Sequence, residues 1–276
     1  MMSGAEYERL AGKTVLITRA IHQTDEIMTM LESRGAHPIH VPLLTIERPK
    51  DEQPIRHVLN QMSVYEWVII TSANAVGPLV DYCYEIQGSL QELKKKKIAV
   101  VGSKTEAVLK SYGLEAAYVP LAFTGEDLAN GLKSKVSPGE RVLFAKGQLA
   151  SDTVESILHK ARVDVDAVDV YETFPNESSR DQLQSLVEDN QLDALTFTSP
   201  STVETFVSFI NDELWEEKAK FLPVYTIGPV TGKTAREHGF RYVTMAREYT
   251  VRGLVETVER GLIHQQNLKS RKEDRS

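Results

Sequence analysis

Small hydroxyl-bearing residues recur in this chain where they could hold an anion. Thr71-Ser72-Ala73-Asn74 and Thr198-Ser199-Pro200-Ser201 each follow an apolar run and precede a helical pattern. The free N–H groups of a helix's first turn, joined by such hydroxyls, make a cradle for a carboxylate or phosphate. The plain alternative is N-capping. Two copies turn the reading toward ligand contact for Thr71, Ser72, Asn74, Ser199 and Ser201. A second pair is Gly102-Ser103-Lys104-Thr105 and Gly228-Pro229-Val230-Thr231. Gly102 and Gly228 would let backbone approach a ligand closely, and Thr105 and Thr231 would add a hydroxyl and a cap. The alternative is a turn that merely starts a helix. Neither segment is a Walker loop or a dinucleotide GxGxxG. Thr124 and Thr250, each after an aromatic residue (Phe123 and Tyr249), stand before apolar-periodic segments as caps or as anion contacts.

Three further side chains stand at or just past the ends of apolar runs. Arg19 and Lys146 could neutralise a ligand carboxylate or stand solvated. Tyr171 could donate a hydrogen bond into a cleft, or pack as a linker residue. There is no GxSxG elbow and no motif-backed Ser-His-Asp set. The seven His residues show no metal spacing, and Cys83, the only cysteine, allows neither an intrachain disulfide nor a Cys-based metal site. The expected chemistry is therefore the holding of a polyanionic small molecule by backbone amides and hydroxyls, without a metal.

These residues come in pairs because the chain is duplicated. TVLITR at 14–19 aligns with RVLFAK at 141–146, and YEWVIITSANAV at 65–76 with LDALTFTSPSTV at 192–203. IAVVGSKTEAVL at 98–109 aligns with VYTIGPVTGKTA at 224–235, and Thr124 and Leu128 with Thr250 and Leu254. The matches keep their order at a nearly constant offset of about 126 residues, far longer than a solenoid repeat. Short apolar runs predict strands at Val15–Thr18, Ile39–Val41, Val68–Ile70, Ile98–Val101, Val142–Phe144, Val168–Val170, Ala194–Phe197 and Val224–Ile227. Helical spacing fills the gaps at Asp25–Arg34, Thr105–Ser111, 153–159 and Thr234–His238, with Gly35, Gly113 and Gly239 as stops. The fold class is α/β, two doubly wound parallel-sheet domains. The repeat halves meet at the turn Ser137–Glu140. Two segments, Val41–Glu47 and Val168–Pro175, occupy matching repeat positions and suit a paired linker. Residues 1–40 with 176–264 would then form one domain and 48–168 the other, with 41–47 and 169–175 as linker strands. A simple split at 138 stays equally open at this point.

The 276 residues suit two domains. The excess of 39 Asp plus Glu over 32 Lys plus Arg argues against nucleic acid as a partner. No run approaches 18 consecutive apolar residues, which argues against a membrane span, and residues 1–10 carry no secretory pattern. A reducing, cytoplasmic setting fits. The polar end, 265–276, reads as a frayed or disordered tail, or else as a nucleic-acid arm.

The chain resembles the uroporphyrinogen-III synthase family. The residues that carry the likeness are VLITR at 15–19, WVIITSANAV at 67–76, AVVGSKTEAVLKSYG at 99–113, DVYETF at 169–174, DALTFTSPSTVETF at 193–206 and YTIGPVTGKTAREHG at 225–239. The resemblance implies two α/β domains joined by a two-stranded linker, which favours the discontinuous division. It implies a cytosolic, monomeric, cofactor-free lyase of haem-type tetrapyrrole biosynthesis. That enzyme receives hydroxymethylbilane, a linear tetrapyrrole, by transient handover from the preceding pathway enzyme. It removes the hydroxyl as water and closes the ring with inversion of the last pyrrole. The resemblance implies a role for Tyr171 in hydroxyl departure, and substrate contacts at Thr231, Ser199 and Ser201 and at Thr105, Ser72 and Asn74. In LFAKGQLASD at 143–152 the family's Arg-Gly pair is changed, since Lys146 keeps the charge but not the guanidinium fork. Ala150 or Ser151 stands where a second basic residue is common. Two other readings are a non-catalytic tetrapyrrole or polyanion binding or regulatory module of the same fold, and a two-domain enzyme for phosphorylated sugars.

Overall fold

The computed structural model describes residues 9–20, 24–122 and 124–273, with side chains through Gln266. Residues 1–8, 21–23, 123 and 274–276 lie outside the described residues. In chain order the elements are β1 (Thr14–Ile17), α1 (Asp25–Glu32), β2 (His37–His40), β3 (Leu44–Glu47), α2 (Gln53–Asn60), β4 (Trp67–Ile70), α3 (Ala73–Gln87), α4 (Gln91–Lys94), β5 (Lys97–Val100) and α5 (Gly102–Ser111). They continue with β6 (Ala116–Tyr118), α6 (Gly125–Leu132), β7 (Arg141–Gly147), α7 (Thr153–Lys160), β8 (Asp164–Pro175), α8 (Arg180–Glu188) and β9 (Ala194–Phe197). The last are α9 (Pro200–Phe209), α10 (Asp212–Glu217), β10 (Pro223–Thr226), α11 (Pro229–Glu237), β11 (Tyr242–Met245) and α12 (Val251–Glu273).

The strands form two sheets, ordered β11-β10-β9-β1-β2 and β3-β8-β7-β4-β5-β6. All pairs in the first sheet, and those from β8 to β6 in the second, are parallel. Each sheet mixes the two repeat halves. β1 and β2 join β9, β10 and β11, while β7 and β8 join β4, β5 and β6. A cut near 138 would sever both. The chain divides into two compact units, Met1–Thr45 with Pro175–Ser276, and Ile46–Phe174.

Period-2 alternation sorts each strand's side chains onto two helical layers. In the first unit Leu16, Leu195 and Phe197 pack with α8 and α9 (Leu183, Val203, Phe206), while Val15, Ile17 and Ala194 pack with α1 and α12 (Ile27, Leu31, Leu254, Val258). In the second, Val68, Ile70, Leu143 and Ala145 meet α2, α3 and α5 (Ile55, Ala75, Leu109), while Trp67, Ile69, Val142 and Phe144 meet α6 and α7 (Leu128, Val154, Leu158). Burial on both faces explains why these runs lack alternating polar residues.

The duplication also repeats a register device. Asp193, just before β9, accepts the Thr14 N–H at 2.9 Å through Oδ2 and pairs with Lys13 at 2.8 Å through Oδ1. Glu66, just before β4, accepts the Arg141 N–H at 2.8 Å. In both units an acid thus ties the first residue of the neighbouring central strand.

The eight expected strands are present, with β8 extended to twelve residues. The edge strands β6 and β11 were not foreseen, since AAY and YVTM are short and partly exposed. The glycine stops hold, with Gly35, Gly113 and Gly239 at φ +83°, +68° and +96°. The frayed-tail expectation fails for residues 265–273, which continue α12. The buried Leu254, Val255, Val258 and Leu262 anchor that helix, and extending a nucleated helix costs little even without an apolar stripe.

Candidate functional site

A doubly wound sheet opens a crevice beyond the carboxyl ends of its strands where the strand order reverses. Here the reversals fall between β1 and β9, and between β7 and β4. The sequence candidates lie at these ends. Arg19 follows β1, and Ser199 and Ser201 follow β9. In the other unit Lys146 is the last residue but one of β7, and Thr71, Ser72 and Asn74 follow β4. One strand farther out, Gly228 and Thr231 follow β10, and Gly102 and Thr105 follow β5. Thr250 and Thr124 precede α12 and α6. Each unit thus gathers its own set, and the two sets are the repeat images of each other.

The capping role is real at four of these positions. Ser72 Oγ accepts the Asn74 N–H at 3.2 Å, and Ser199 Oγ accepts that of Thr202 at 3.3 Å while meeting Ser201 Oγ at 3.0 Å. Thr124 Oγ1 accepts the Asp127 N–H at 3.0 Å and donates to the Asp127 carboxylate, and Thr250 Oγ1 accepts the Gly253 N–H at 3.0 Å. A cap satisfies one donor of the several that a helix start exposes, so capping and ligand contact are compatible. Thr105 and Thr231 do not cap, contrary to expectation. Their helices begin earlier, after Val101 and Gly228, with no side-chain cap, and each threonine sits within the first turn, 4% exposed. Pro229, with its fixed φ, starts α11, and Gly102, at φ +79°, starts α5 in a conformation that favours glycine.

The two strand-end cations differ. Arg19 is half-buried, and burial lowers its pKa from the ordinary guanidinium value, with Glu26 opposing. Its carbonyl oxygen lies 2.7 Å from His40 Nε2, which ties the end of β1 to β2. Lys146 is neither solvated nor open. Its ammonium sits 3.6 Å from the Glu155 carboxylate of α7, and its side chain is 13% exposed. Its register partner on β8 is Asp169. Burial, first, and Glu172 raise the Asp169 carboxyl above its ordinary range, while Lys146 opposes them. Asp169 Oδ1 and Glu155 Oε2 are buried without a hydrogen-bond partner. Lys146 is therefore ion-paired with Glu155 of its own unit and stands beside Asp169, rather than standing solvated.

Tyr171, on β8 beside β7, reaches toward the β7–β4 reversal. The ladder between β7 and β8 shifts register at Lys146/Gly147, so that Gly147 comes opposite Tyr171, and the Gln148 N–H donates to the Tyr171 carbonyl at 3.1 Å. The ring is half-buried against the α3 layer, and its hydroxyl lies 3.5 Å from Ser72 Oγ. Gly147, Glu155 and Asp169 were missed as site residues. Gly147 was visible only as the glycine of the altered Arg-Gly pair, and the two acids are joined to Lys146 by strand pairing and helix packing that no local pattern encodes. Among the described residues no three His, Cys, Asp or Glu side chains gather as a metal site requires, and no helix is long and apolar enough to cross a membrane.

Two doubly wound α/β units, each with hydroxyl-capped helix starts beside its strand-order reversal, define the class as a two-domain α/β protein. Within that class the chain belongs to the uroporphyrinogen-III synthase family, whose sequence profile, described as uroporphyrinogen-III synthase HemD, matches residues 10–256. It is 31% identical over 255 residues to the uroporphyrinogen-III synthase of Synechococcus elongatus, covering 91% of this chain and 96% of that one. It is 30% identical over 248 residues to the porphyrin biosynthesis protein HemD of Ruminiclostridium josui. That match covers 90% of this chain but 48% of the relative, so the chain spans about half its length. The fold is shared with a mutant uroporphyrinogen III synthase from Thermus thermophilus (TM-score 0.56, 18% identity, covering 92% of this chain and 99% of that one). It is shared too with uroporphyrinogen-III synthetase from Helicobacter pylori (TM-score 0.57, 18% identity, covering 89% and 97%).

Proposed function

We propose that this chain cyclises hydroxymethylbilane to uroporphyrinogen III, acting as a lyase that removes the terminal hydroxyl as water and inverts the last pyrrole. The observation that carries the reading is the Tyr171 hydroxyl beside Ser72 at the β7–β4 reversal, in a chain of this family. The substrate bears eight carboxylates, and loss of water leaves an azafulvene-like cation, which needs no strong nucleophile from the protein. Closure in the inverted sense is a matter of holding the chain so that the inverting attack is the near one, a proximity effect. Helix-start N–H groups, the hydroxyls of Thr71, Ser72, Ser199 and Ser201 and the Asn74 side-chain amide suit the substrate carboxylates, as does the Arg19 guanidinium. Tyr171 would assist the departing hydroxyl by hydrogen bonding or as a weak acid. A cytoplasmic location and receipt of the bilane from the preceding pathway enzyme go with this reading and rest on the family.

The test is a coupled assay. Freshly generated hydroxymethylbilane is supplied, the products are oxidised, and the porphyrin isomers are separated. The type III isomer in excess over spontaneous type I is expected. A product mixture identical to that of the protein-free control overturns the proposal.

A further inference from the structure

The Tyr171 hydroxyl can serve the proposed reaction only if something fixes the ring, and the molecule shows what does. A Cβ built on Gly147 would lie 2.2 Å from Tyr171 Cζ, 2.5 Å from its hydroxyl oxygen and 2.6 Å from Cε2. No side chain fits there while the ring stays in place. Backbone conformation does not explain this glycine, for Gly147 is not among the residues of positive φ. The explanation is steric. The register shift at Lys146/Gly147 sets the one residue of β7 without a side chain directly opposite Tyr171. It leaves the preceding side chain, Lys146, with Glu155 of α7, while the tyrosine ring packs with the α3 layer and reaches Ser72.

We infer that Gly147 is a positioning residue, the seat that holds the Tyr171 ring against β7 with its hydroxyl at Ser72. The inference rests on the proposed reaction for its functional consequence but not for its geometry. The atoms that a new methyl would meet are at the far end of a side chain that can swing, so Gly147→Ala displaces the ring and leaves the strand in place.

The full-length chain tests this with Gly147→Ala, Tyr171→Ala and the double variant. Gly131→Ala serves as a control, since its Cβ would strike the Tyr118 ring of the same unit away from Ser72. Gly147→Ala is expected to lower kcat for hydroxymethylbilane about 10–100-fold with KM changed less than about 3-fold, the pattern of a lost transition-state contact. In the Tyr171→Ala background the same change is expected to add less than about 2-fold, because nothing remains to displace. Gly131→Ala is expected to move the unfolding midpoint without that kcat loss. An unchanged kcat in Gly147→Ala, or an equal loss in both backgrounds, overturns the inference. A second readout does not depend on turnover. With ring-13C tyrosine, the Tyr171 resonance, assigned by its absence in Tyr171→Phe, is expected to shift in Gly147→Ala, and an unmoved resonance overturns the seat. A wild type without type III product but with a shifted resonance sinks the reaction and keeps the seat. If Gly147→Ala fails to fold, Gly147→Ala/Tyr171→Ala is expected to fold like Tyr171→Ala, and its failure to do so overturns the inference.

Discussion

Tyr171 on β8 and Lys146 near the end of β7 are two residues of one unit with opposite fates. The tyrosine points its hydroxyl at Ser72, whereas the lysine is claimed by Glu155 and lies beside Asp169. Replacing Tyr171 by Phe keeps the ring on its seat and removes only the hydroxyl. The expected outcome is a kcat loss of about 10–100-fold, at or below the low end for general acids, because positioning carries most of the work. Unchanged turnover of hydroxymethylbilane would refute a role for the hydroxyl. Lys146→Met is expected to leave KM within about 3-fold, since the ammonium is occupied within its own unit. It should cost about 1–3 kcal/mol in urea denaturation, the scale for stranding buried polar groups, here Glu155 and Asp169. A large rise in KM with stability intact would show the lysine reaching the substrate after all.

Among the elements, the duplication preserved connections as well as strands. Asp193 and Glu66 each accept a backbone N–H from the first residue of the adjacent central strand. Asp193→Ala leaves the Thr14 N–H without its acceptor and Lys13 without its partner. A loss of about 1–2 kcal/mol is expected, against less for Asp193→Asn, which keeps an acceptor. Equal losses in the two variants would mean that the ion pair, not the register bond, matters. The turn where the repeat halves meet is tied in a similar way. Gly139 takes φ +89°, and Glu140 accepts the Ser137 N–H at 2.8 Å and the Trp67 indole N–H at 3.3 Å while pairing with Lys97 at 3.1 Å. The Ser137 N–H first, then Lys97 and Trp67, hold the Glu140 carboxyl below the usual carboxylate range. A carboxyl with a depressed folded pKa stabilises above its unfolded value, about 4.3, and that contribution is lost as pH falls through the lower folded value. The stability gap between wild type and Glu140→Gln, followed by Trp67 fluorescence, should therefore close as the solution is acidified below about pH 4. A gap that stays constant with pH would contradict this.

At the scale of the whole molecule, the second unit is one continuous segment with its own two-sided core, while the first is assembled from both ends of the chain. Residues 46–174 expressed alone are expected to fold cooperatively, with Trp67, the one tryptophan in the segment, giving a single urea transition. A gradual, non-cooperative change would show that the core needs the rest of the chain.

Local pattern was enough to locate the eight main strands, the glycine stops and the paired hydroxyl turns, because apolar runs, φ preferences and repeats are properties of neighbours in the sequence. It was enough, too, to mark Tyr171 and Ser72 as worth watching, but not to join them. Which strands lie side by side is decided by long-range pairing, and that pairing set Gly147 under Tyr171 and gave Lys146 to Glu155. The short edge strands β6 and β11 escaped for a related reason, since a strand whose side chains are half exposed takes its identity from the neighbour it bonds to rather than from its own residues.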